Sequence, residues 1–406
     1  MALTLSGSTG ITGAGIGTIG PSGANITGIV TATSISNISS INSGQIGGRR
    51  NLVINGAMRV AQRSSSAVAT SNSSNEGYQT IDRMHFNYGN NAAGAANISQ
   101  STDVPSGLGF SESHKTDVTT TNTTSGGTGT IQLGYFFESQ DIRNSGWNYT
   151  SSSSYITISF YFKTNVSGTK KLPIMLRSRG STNQYYVKDI TVTGTDWARY
   201  SLTIPGNSNI VFDNDTSRGL EINFVYYAGS DKNVSSEGAW GSTNAYNTSN
   251  STNFFDNTSN DMYVTGLQVE IGDTVTDFEH RSYGEELSLC ERYYEVLVDG
   301  ANGNSGNGDN YLSVGAYFNS SSVYTAVRFR QQKRAIPTIK QSTGTDYWSS
   351  WRDGANDAFD AWAGTSWPGT ENIMVYANTG ISGTAGQASL MGADHASAWL
   401  AMDAEI

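Results

Sequence analysis

The sequence predicts an all-β protein with an N-terminal fibrous stalk, a jelly-roll β-sandwich, a smaller C-terminal β domain and one short linking helix. Three observations support this prediction. Apolar and polar residues alternate with the period of a strand in several segments, loops rich in Gly, Ser and Asn separate these segments, and hardly any segment has the period of a helix. The chain has 406 residues, which is enough for two or three domains with cores of their own.

The stalk is predicted for residues 1–48. They contain no charged residue, no histidine and no aromatic residue, and nine isoleucines stand in a background of Gly, Thr and Ser. Such a segment cannot bury enough apolar surface to fold alone. It is either a flexible linker or a stalk in which β-branched residues meet their counterparts from other copies around an axis. The isoleucines favour the stalk, because a linker has no use for them.

Residues 49–283 predict the β-sandwich. Side chains at alternate positions share one face of a strand, and two segments present such apolar faces, formed by Ile156, Ile158, Phe160 and Phe162 and by Leu220, Ile222, Phe224 and Tyr226. Downstream, the parity of the apolar positions switches between Val264 and Leu267. An extra residue near Gly266, a β-bulge, explains the switch. Several such strands joined by long polar loops indicate a jelly roll.

Residues 284–295 predict the linking helix. Ser282 and Glu285 have the spacing of a capping box, in which the hydroxyl and the carboxylate each bind a free backbone N–H. An apolar stripe follows at positions i, i+3 and i+7, formed by Leu287, Cys290 and Tyr294. The helix is therefore expected to bury one side where two domains meet.

Residues 296–406 predict the second, smaller β domain. One strand alternates apolar positions at Leu312, Val314, Ala316 and Phe318. A last strand places Ala398, Leu400, Met402, Ala404 and Ile406 on one face. We therefore expect the end of this sequence to be paired in a sheet.

The composition excludes several partners. The chain has 34 acidic and 24 basic residues and a net charge of −10, whereas nucleic-acid binding depends on Lys and Arg that displace counterions. No apolar run reaches the roughly 18 residues of a membrane helix. The single cysteine cannot form an internal disulfide, and the N-terminus lacks the basic and apolar regions of a signal peptide. We expect synthesis in a cytoplasm and release by a route other than export.

The run 264–295 gathers carboxylates, a histidine and the only cysteine, and two hypotheses explain it. An enzyme would use two carboxylates as acid and base with His280 assisting, and the candidates are Asp273, Asp277, Glu279, Glu285 and Glu286. The alternative gives each charge a structural role, with Glu270 on a polar strand face and Glu291 and Arg292 in solvent. The cysteine has no adjacent base and fits a small buried hydrophobe. We favour the structural hypothesis and expect that the chain is not an enzyme.

The segment 347–369 is the main candidate for a binding site. It contains four of the eight tryptophans and three aspartates, namely Trp348, Trp351, Trp362, Trp367, Asp353, Asp357 and Asp360. Sugar sites set an aromatic face against a pyranose ring and bind its hydroxyls with carboxylates or amides. The same rings also fit the core or the trimer interface of the last domain. Trp240 and Tyr246, in a long polar loop, form a secondary candidate.

A metal site has weaker support. The segment 299–311 offers oxygen ligands of the kind that calcium takes, at Asp299, Asn302, Asn304 and Asp309. It lacks the spacing and the terminal Glu of an EF-hand loop, so a flexible connection is favoured. No His and Cys cluster has the spacing of a zinc site. We expect no metal and no cofactor.

Three segments carry a resemblance to a known group of proteins. "NLVINGAMRVAQRS" (51–64), "YQTIDRMHF" (78–86) and "VTGLQVEIGDTVTDFEHRSYGEELSLCERYY" (264–294) resemble a recurrent domain of bacteriophage tail fibres and related virion adhesins. "GIVTATSIS" (28–36) resembles the stem repeats of cyanophage fibres. "NLVINGAM" and "MYVTGLQVEIG" are similar to the two ends of a carbohydrate-binding jelly roll. The resemblance implies a homotrimeric virion fibre or adhesin with a β-sandwich body.

On this basis we expect a virion protein that is made in the host bacterial cytoplasm and attaches the virion to polysaccharide of the host surface. Residues 1–48 would bind other tail or baseplate proteins, and the C-terminal domain would face the host. Two alternatives remain open. In the first, the protein is a purely structural collar, baseplate or capsid-decorating fibre. In the second, more distant one, it is a glycan depolymerase.

Overall fold

In this computed structural model, residues 50–122, 127–300 and 310–406 are described, together with the backbone of 40–41 and 44–45. The chain divides into two units, Met1–Ile46 and Gly47–Ile406. In the first unit, Ser40–Ile41 pairs with Gly44–Gln45, and the rest of the predicted stalk lies outside the described residues.

In the part of the chain that the structure describes, twelve strands and one short helix build the β-sandwich. In chain order they are β1 (Val68–Ser71), β2 (Met84–Gly89), β3 (Ala95–Ser101), β4 (Ser113–Thr120), β5 (Thr130–Glu138), α1 (Ser139–Arg143), β6 (Tyr155–Thr164), β7 (Lys170–Ser178), β8 (Gln184–Val192), β9 (Ala198–Pro205), β10 (Arg218–Ala228), β11 (Trp240–Gly241) and β12 (Asp261–Ile271). Ser230–Lys232 forms a turn of 3₁₀ helix. Sheet A has the order β11-β8-β7-β10-β5-β2 and sheet B the order β9-β6-β12-β4-β3-β1.

The two six-stranded sheets enclose one apolar core. The predicted faces of β6 and β10 both point into it, and all eight of their side chains are buried. Phe160 and Phe224 meet edge to face across the sandwich, with ring centroids 4.8 Å apart. The register of β12 against β6 shifts between Thr265 and Gln268, which confirms the predicted bulge. Gly266 occupies the bulge with φ of 63°, a left-handed conformation that favours glycine.

Helix α2 (Tyr283–Glu291) follows the sandwich. The Ser282 half of the predicted capping box is confirmed, because the Ser282 hydroxyl accepts a hydrogen bond from the Glu285 N–H at 3.3 Å. The predicted apolar stripe is wrong in part. Cys290 is buried, Leu287 is only half-buried, and Tyr294 lies beyond the end of the helix, in the next strand. The helix instead buries acidic residues, including Glu286, whose carboxylate accepts from the Asn55 N–H at 2.5 Å.

Among the described residues, ten further strands follow the helix. They are β13 (Tyr294–Asp299), β14 (Tyr311–Asn319), β15 (Ser322–Arg328), β16 (Thr338–Gln341), β17 (Trp348–Arg352), β18 (Ala355–Phe359), β19 (Gly364–Ser366), β20 (Asn372–Ala377), β21 (Ala388–Ala393) and β22 (Trp399–Asp403). Sheet C has the order β13-β22-β16, and sheet D the order β18-β17-β21-β14-β15-β20-β19. Their buried side chains form a second apolar core. The last strand is paired as predicted, between β13 and β16.

Charged groups around α2 and β13 are paired and largely buried, which corrects the expectation that Glu291 and Arg292 lie in solvent. Glu291 is buried and accepts from Arg330 Nη1 at 3.0 Å. Arg292 donates to the buried carboxylate of Glu138 at 2.7 and 2.8 Å. These ion pairs join residues that are far apart in the sequence. The sequence of the helix by itself therefore does not predict them.

Glu270 lies within β12 and is buried, because the turn after the strand folds back over it. Thr276 donates to its carboxylate from the backbone N–H at 2.9 Å and from the hydroxyl at 2.6 Å. The charges of the run 264–295 thus have structural partners.

Candidate functional site

The predicted tryptophan cluster divides into two pairs. Trp348 and Trp362 lie in the second apolar core, where their rings meet with centroids 5.7 Å apart. They have no surface for a sugar. Trp351 and Trp367 lie at the surface, with 38% and 66% of each residue exposed.

The two exposed tryptophans belong to a broad apolar surface on the outer side of sheet D, which we term the aromatic face. Its members are Val314, Phe318, Tyr324, Trp351, Trp367, Tyr376 and Leu390. Trp351, Leu390 and Val314 stand side by side on three neighbouring strands. Tyr324 stacks on Tyr376 at 5.0 Å. The exposed side of β14 is therefore its apolar side.

The three predicted aspartates already accept hydrogen bonds within the protein. Asp357 accepts from Arg352 at 2.7 Å and from the Tyr317 hydroxyl and the Ser382 N–H at 2.9 Å. Burial opposes ionisation of Asp357, but these donors hold its pKa below the usual value. Asp353 accepts from Gln387, and Asp360 accepts from a backbone N–H at 3.0 Å.

The secondary pair is separated by a sheet. Trp240 packs from the core side beside Tyr186, with centroids 5.4 Å apart, and donates to the Pro205 carbonyl at 2.7 Å. Tyr246 is buried on the outer side of sheet A, in a small cluster with Tyr185 and Met175. The two rings therefore do not form one site.

The outer side of sheet A carries a feature that the sequence analysis missed. In β2, β5 and β10, polar residues alternate with core residues, and the register aligns His85 with Gly134 and Gly134 with Asn223. In the next row, Asn87 lies opposite Gln132. We term His85, Asn87, Gln132 and Asn223 the polar strip.

Two acceptors of the polar strip are buried without a partner. Asn223 is 1% exposed, and neither its Oδ1 nor Oε1 of Gln132 meets a donor among the residues that the structure describes. The amide nitrogen of Gln132 reaches Asn87 at 3.4 Å, and that of Asn87 reaches Glu76 at 3.4 Å. A buried acceptor without a donor costs about 1–3 kcal/mol.

Gly134 lies at the centre of the strip, where the Asn223 side chain and the Phe136 ring pack closely against its backbone. A Cβ atom there would lie 2.6 Å from Oδ1 of Asn223 and 3.1 Å from the Phe136 ring. Glycine in the interior of a strand weakens it and often marks the close approach of another group. At this position any larger residue would press on the unpartnered acceptor.

Aromatic rings flank the strip. The His85 ring lies 4.9 Å from both Tyr78 and Phe136. Burial, assisted by Arg218, lowers the pKa of His85 to about 3, so the ring is neutral at pH 7. The strip thus offers neutral hydrogen-bonding groups beside rings.

A pocket of about 250 Å³ continues the outer side of sheet A beyond Gln132. Val225 stands opposite Gln132 in the sheet and lines this pocket. Asn247, on the opposing loop, is buried, and its Oδ1 also meets no donor in the described part of the chain, like the acceptors of Asn223 and Gln132. The surface that a neutral polar ligand could contact therefore extends beyond the strip.

No group of three or more His, Cys, Asp or Glu side chains within 50–122, 127–300 and 310–406 could hold a metal ion. Of the predicted calcium ligands, Asn302, Asn304 and Asp309 lie outside the described residues. None of the described helices combines the length and the apolar character that crossing a membrane requires.

The chain matches no protein-family model and no curated protein sequence. Solved structures similar to it include the enzymatically active domain of tailspike protein 4 from bacteriophage CBA120, at 12% identity and a TM-score of 0.29, covering 55% of this chain and 21% of that one. The family 11 carbohydrate-binding module from Clostridium thermocellum, in complex with a β-1,3-1,4-mixed-linked tetrasaccharide, has 14% identity and a TM-score of 0.25 over 53% and 98%. An arabinose-bound α-L-arabinofuranosidase has 12% identity and a TM-score of 0.25, and the match covers 46% of this chain and 23% of that one.

At these identities the likeness concerns the fold alone. The predicted all-β architecture is confirmed by the antiparallel sheets of the described residues. The expectation that the chain is not an enzyme is corrected, because an enzymatically active tailspike domain and an arabinofuranosidase are among the similar structures. The chain spans about a fifth of each of these two proteins.

Proposed function

We propose that this chain is a bacteriophage fibre protein that binds neutral glycans of the host surface through the polar strip of sheet A. The observation that carries the proposal is the pair of buried acceptors on Asn223 and Gln132, which have no donor among the described residues. Sugar hydroxyls are donors of the kind that these amides need.

The chemistry of the strip favours neutral sugars. Its amides and its uncharged His85 recognise hydroxyls, and the half-buried Tyr78 ring lies beside them. Strands of a packed sheet hold these groups, so little side-chain freedom is lost on binding. The unmet acceptors make the empty sheet less stable than a fully satisfied one, as is common for binding sites.

We assign the aromatic face to contact between copies of the chain, in a homotrimer. Five residues of this face are among the large apolar residues exposed in the single chain, namely Val314, Phe318, Trp351, Trp367 and Leu390. Together they expose on the order of 500 Å², a size at which apolar patches mark interaction surfaces. This assignment takes Trp351 and Trp367 as interface residues, the alternative that the sequence left open. Three copies would bind a weak glycan firmly through effective concentration.

The remaining assignments complete the proposal. Residues 1–48 join the fibre to other tail or baseplate proteins of the virion, and the protein is made in the host bacterial cytoplasm. The sandwich spans 49–283 and the C-terminal domain 296–406, with the linking segment 284–295 between them. A structural collar, baseplate or capsid-decorating fibre without a receptor is the alternative.

A glycan array with the purified chain tests the binding proposal. We expect signal on neutral host polysaccharide, a loss of at least about tenfold for Asn223→Ala, and no change for Asn97→Ala. Asn97 is the matched control, because it lies on a strand between two core residues, on the outer side of sheet B. Absence of signal for the unaltered chain would favour the structural fibre. Release of reducing ends from the same polysaccharide would add a hydrolytic activity.

Mass photometry tests the trimer. We expect three copies for the full chain and dissociation for Trp367→Ser combined with Leu390→Ser. The control is Leu108→Ser, because Leu108 is exposed on a loop of the sandwich. A monomer for the unaltered chain contradicts the assignment of the aromatic face.

A further inference from the structure

A cleft of about 630 Å³ lies between the sandwich and sheet C. Its lining is drawn from both parts of the chain and includes Gln62, Arg63, Glu76, Tyr78, Gln79, Tyr294, Lys340, Trp399 and Asp403. Protein pockets for small ligands have volumes of about 300–1,000 Å³. The cleft is therefore large enough for one or two sugar rings.

Buried contacts hold the floor of the cleft in place. The Arg63 guanidinium lies 3.7 Å above the Tyr294 ring and 3.5 Å from carboxylate oxygens of both Asp82 and Glu405. Gln62 donates to Asp82 at 2.6 Å and to the Tyr294 carbonyl at 2.8 Å. A site supported in this way is preformed and loses little freedom on binding.

Trp399 is the most exposed aromatic residue of the cleft, at 38%. Its backbone N–H donates to the Ser342 hydroxyl at 2.8 Å, and its carbonyl accepts from the Ser342 N–H at 3.0 Å. These bonds hold the backbone of Trp399 in place, and its exposed indole offers a surface for the C–H face of a pyranose ring. Tyr78 adds a second ring, anchored by its hydroxyl to the Ile406 carbonyl at 3.2 Å.

The charges of the cleft disfavour an anionic ligand. Glu76, Asp299 and Asp403 contribute carboxylates to the lining. Arg63 already faces the carboxylates of Asp82, Asp403 and Glu405, so Lys340 is the cation left among the lining residues. A phosphate or an acidic sugar would meet more negative than positive charge. Carboxylates and the amide of Gln79 instead suit hydroxyl groups.

We infer that this cleft is a second glycan site, which takes one or two neutral pyranose units against Trp399. It goes beyond the proposed function, because the polar strip belongs to the sandwich alone, whereas this site is completed by β22. Glu76 adjoins both sites, since it lines the cleft and also accepts from Asn87 of the strip. Glu76 is therefore unsuitable for separating the two sites, and Trp399 and Asn223 are the residues to alter.

Saturation-transfer NMR on the full chain tests the inference, with glucose, galactose, mannose, N-acetylglucosamine and glucuronate as probes. We expect at least one neutral sugar to bind, and Trp399→Ala to weaken that binding at least about tenfold. Trp399→Phe keeps a ring and should stay within about threefold. Asn223→Ala should leave binding at the cleft unchanged. Circular dichroism of each variant checks the fold.

The outcomes separate the two sites. Equal binding by the unaltered chain and Trp399→Ala overturns the cleft site, and so does the absence of binding by every neutral probe. Glucuronate binding as tightly as the neutral sugars overturns the argument from charge and with it the inference. If Trp399→Ala binds the probes normally while Asn223→Ala loses the array signal, the cleft site fails and the polar strip stands. The reverse result refutes the polar strip and supports the cleft.

Discussion

Replacing Glu405 with Gln removes the charge that neutralises a buried arginine. The Arg83 side chain is 1% exposed, and its guanidinium pairs with one carboxylate oxygen of Glu405. The other oxygen lies 3.5 Å from Arg63. Arg83 also donates to the Phe136 carbonyl at 2.6 Å and lies 3.5 Å from the centre of the Tyr293 ring. These contacts join the sandwich to the segment after β22.

The expected loss in the free energy of unfolding is about 3 kcal/mol. Two charges about 4 Å apart attract by about 4 kcal/mol at the effective dielectric of a protein, and removing one partner of a buried pair costs about 3–5 kcal/mol. The Gln amide oxygen can still accept a hydrogen bond from Arg83, worth about 1 kcal/mol. The loss should therefore fall at the lower end of that range.

Guanidinium titration at pH 7, followed by circular dichroism, measures the difference between the two chains. The matched control is Glu237→Gln, because Glu237 pairs with Lys188 at 3.1 Å on the surface and such pairs contribute less than about 1 kcal/mol. A loss for Glu405→Gln no larger than that of the control would refute the argument that Arg83 depends on this carboxylate.

Three further predictions use the same measurements. Burial raises the pKa of Asp82 to about 6 from 3.8, although Arg63 opposes the shift. The folded state therefore holds a proton that the unfolded chain releases, and this stabilisation is lost as pH rises from about 4 through 6. Relative to the unaltered chain, Asp82→Asn should gain about 3 kcal/mol between pH 4 and 7, and a constant difference would contradict the shift. Gly134→Ala should abolish the array signal assigned to the polar strip and lower the unfolding free energy by about 1–3 kcal/mol, whereas an unchanged signal would place the glycan elsewhere. Trp348→Ala should cost about 3–5 kcal/mol, and Trp351→Ala should cost far less in a single copy, so equal losses would contradict their different burial.

The sandwich was predictable because its apolar alternation is local. In β6, four alternate apolar residues determine which side is buried, and the change of parity before Leu267 indicates the bulge. In β14 the same pattern is ambiguous, because its apolar side is the exposed one. Which side of a sheet meets a core depends on the layers around it, and alternation along one strand does not contain that information.

The polar strip could not be predicted for a similar reason. His85, Gly134 and Asn223 come from strands far apart in the chain, and only the register aligns them. Taken singly, each resembles a residue on a solvated strand face. The prediction of one tryptophan site is wrong for a different reason. Four rings within twenty residues suggest one site, but alternation along β17 places Trp348 in the core and Trp351 at the surface.

Because Cys290 is buried, chemical labelling of its thiol can report local opening of the folded protein. It is the only thiol in the sequence, it is fully enclosed, and burial raises its pKa well above the usual value. Since the thiolate is the reactive form, a soluble thiol reagent should not modify the folded protein. Each modified molecule has then opened around α2, so the labelling rate measures how often this part of the protein opens.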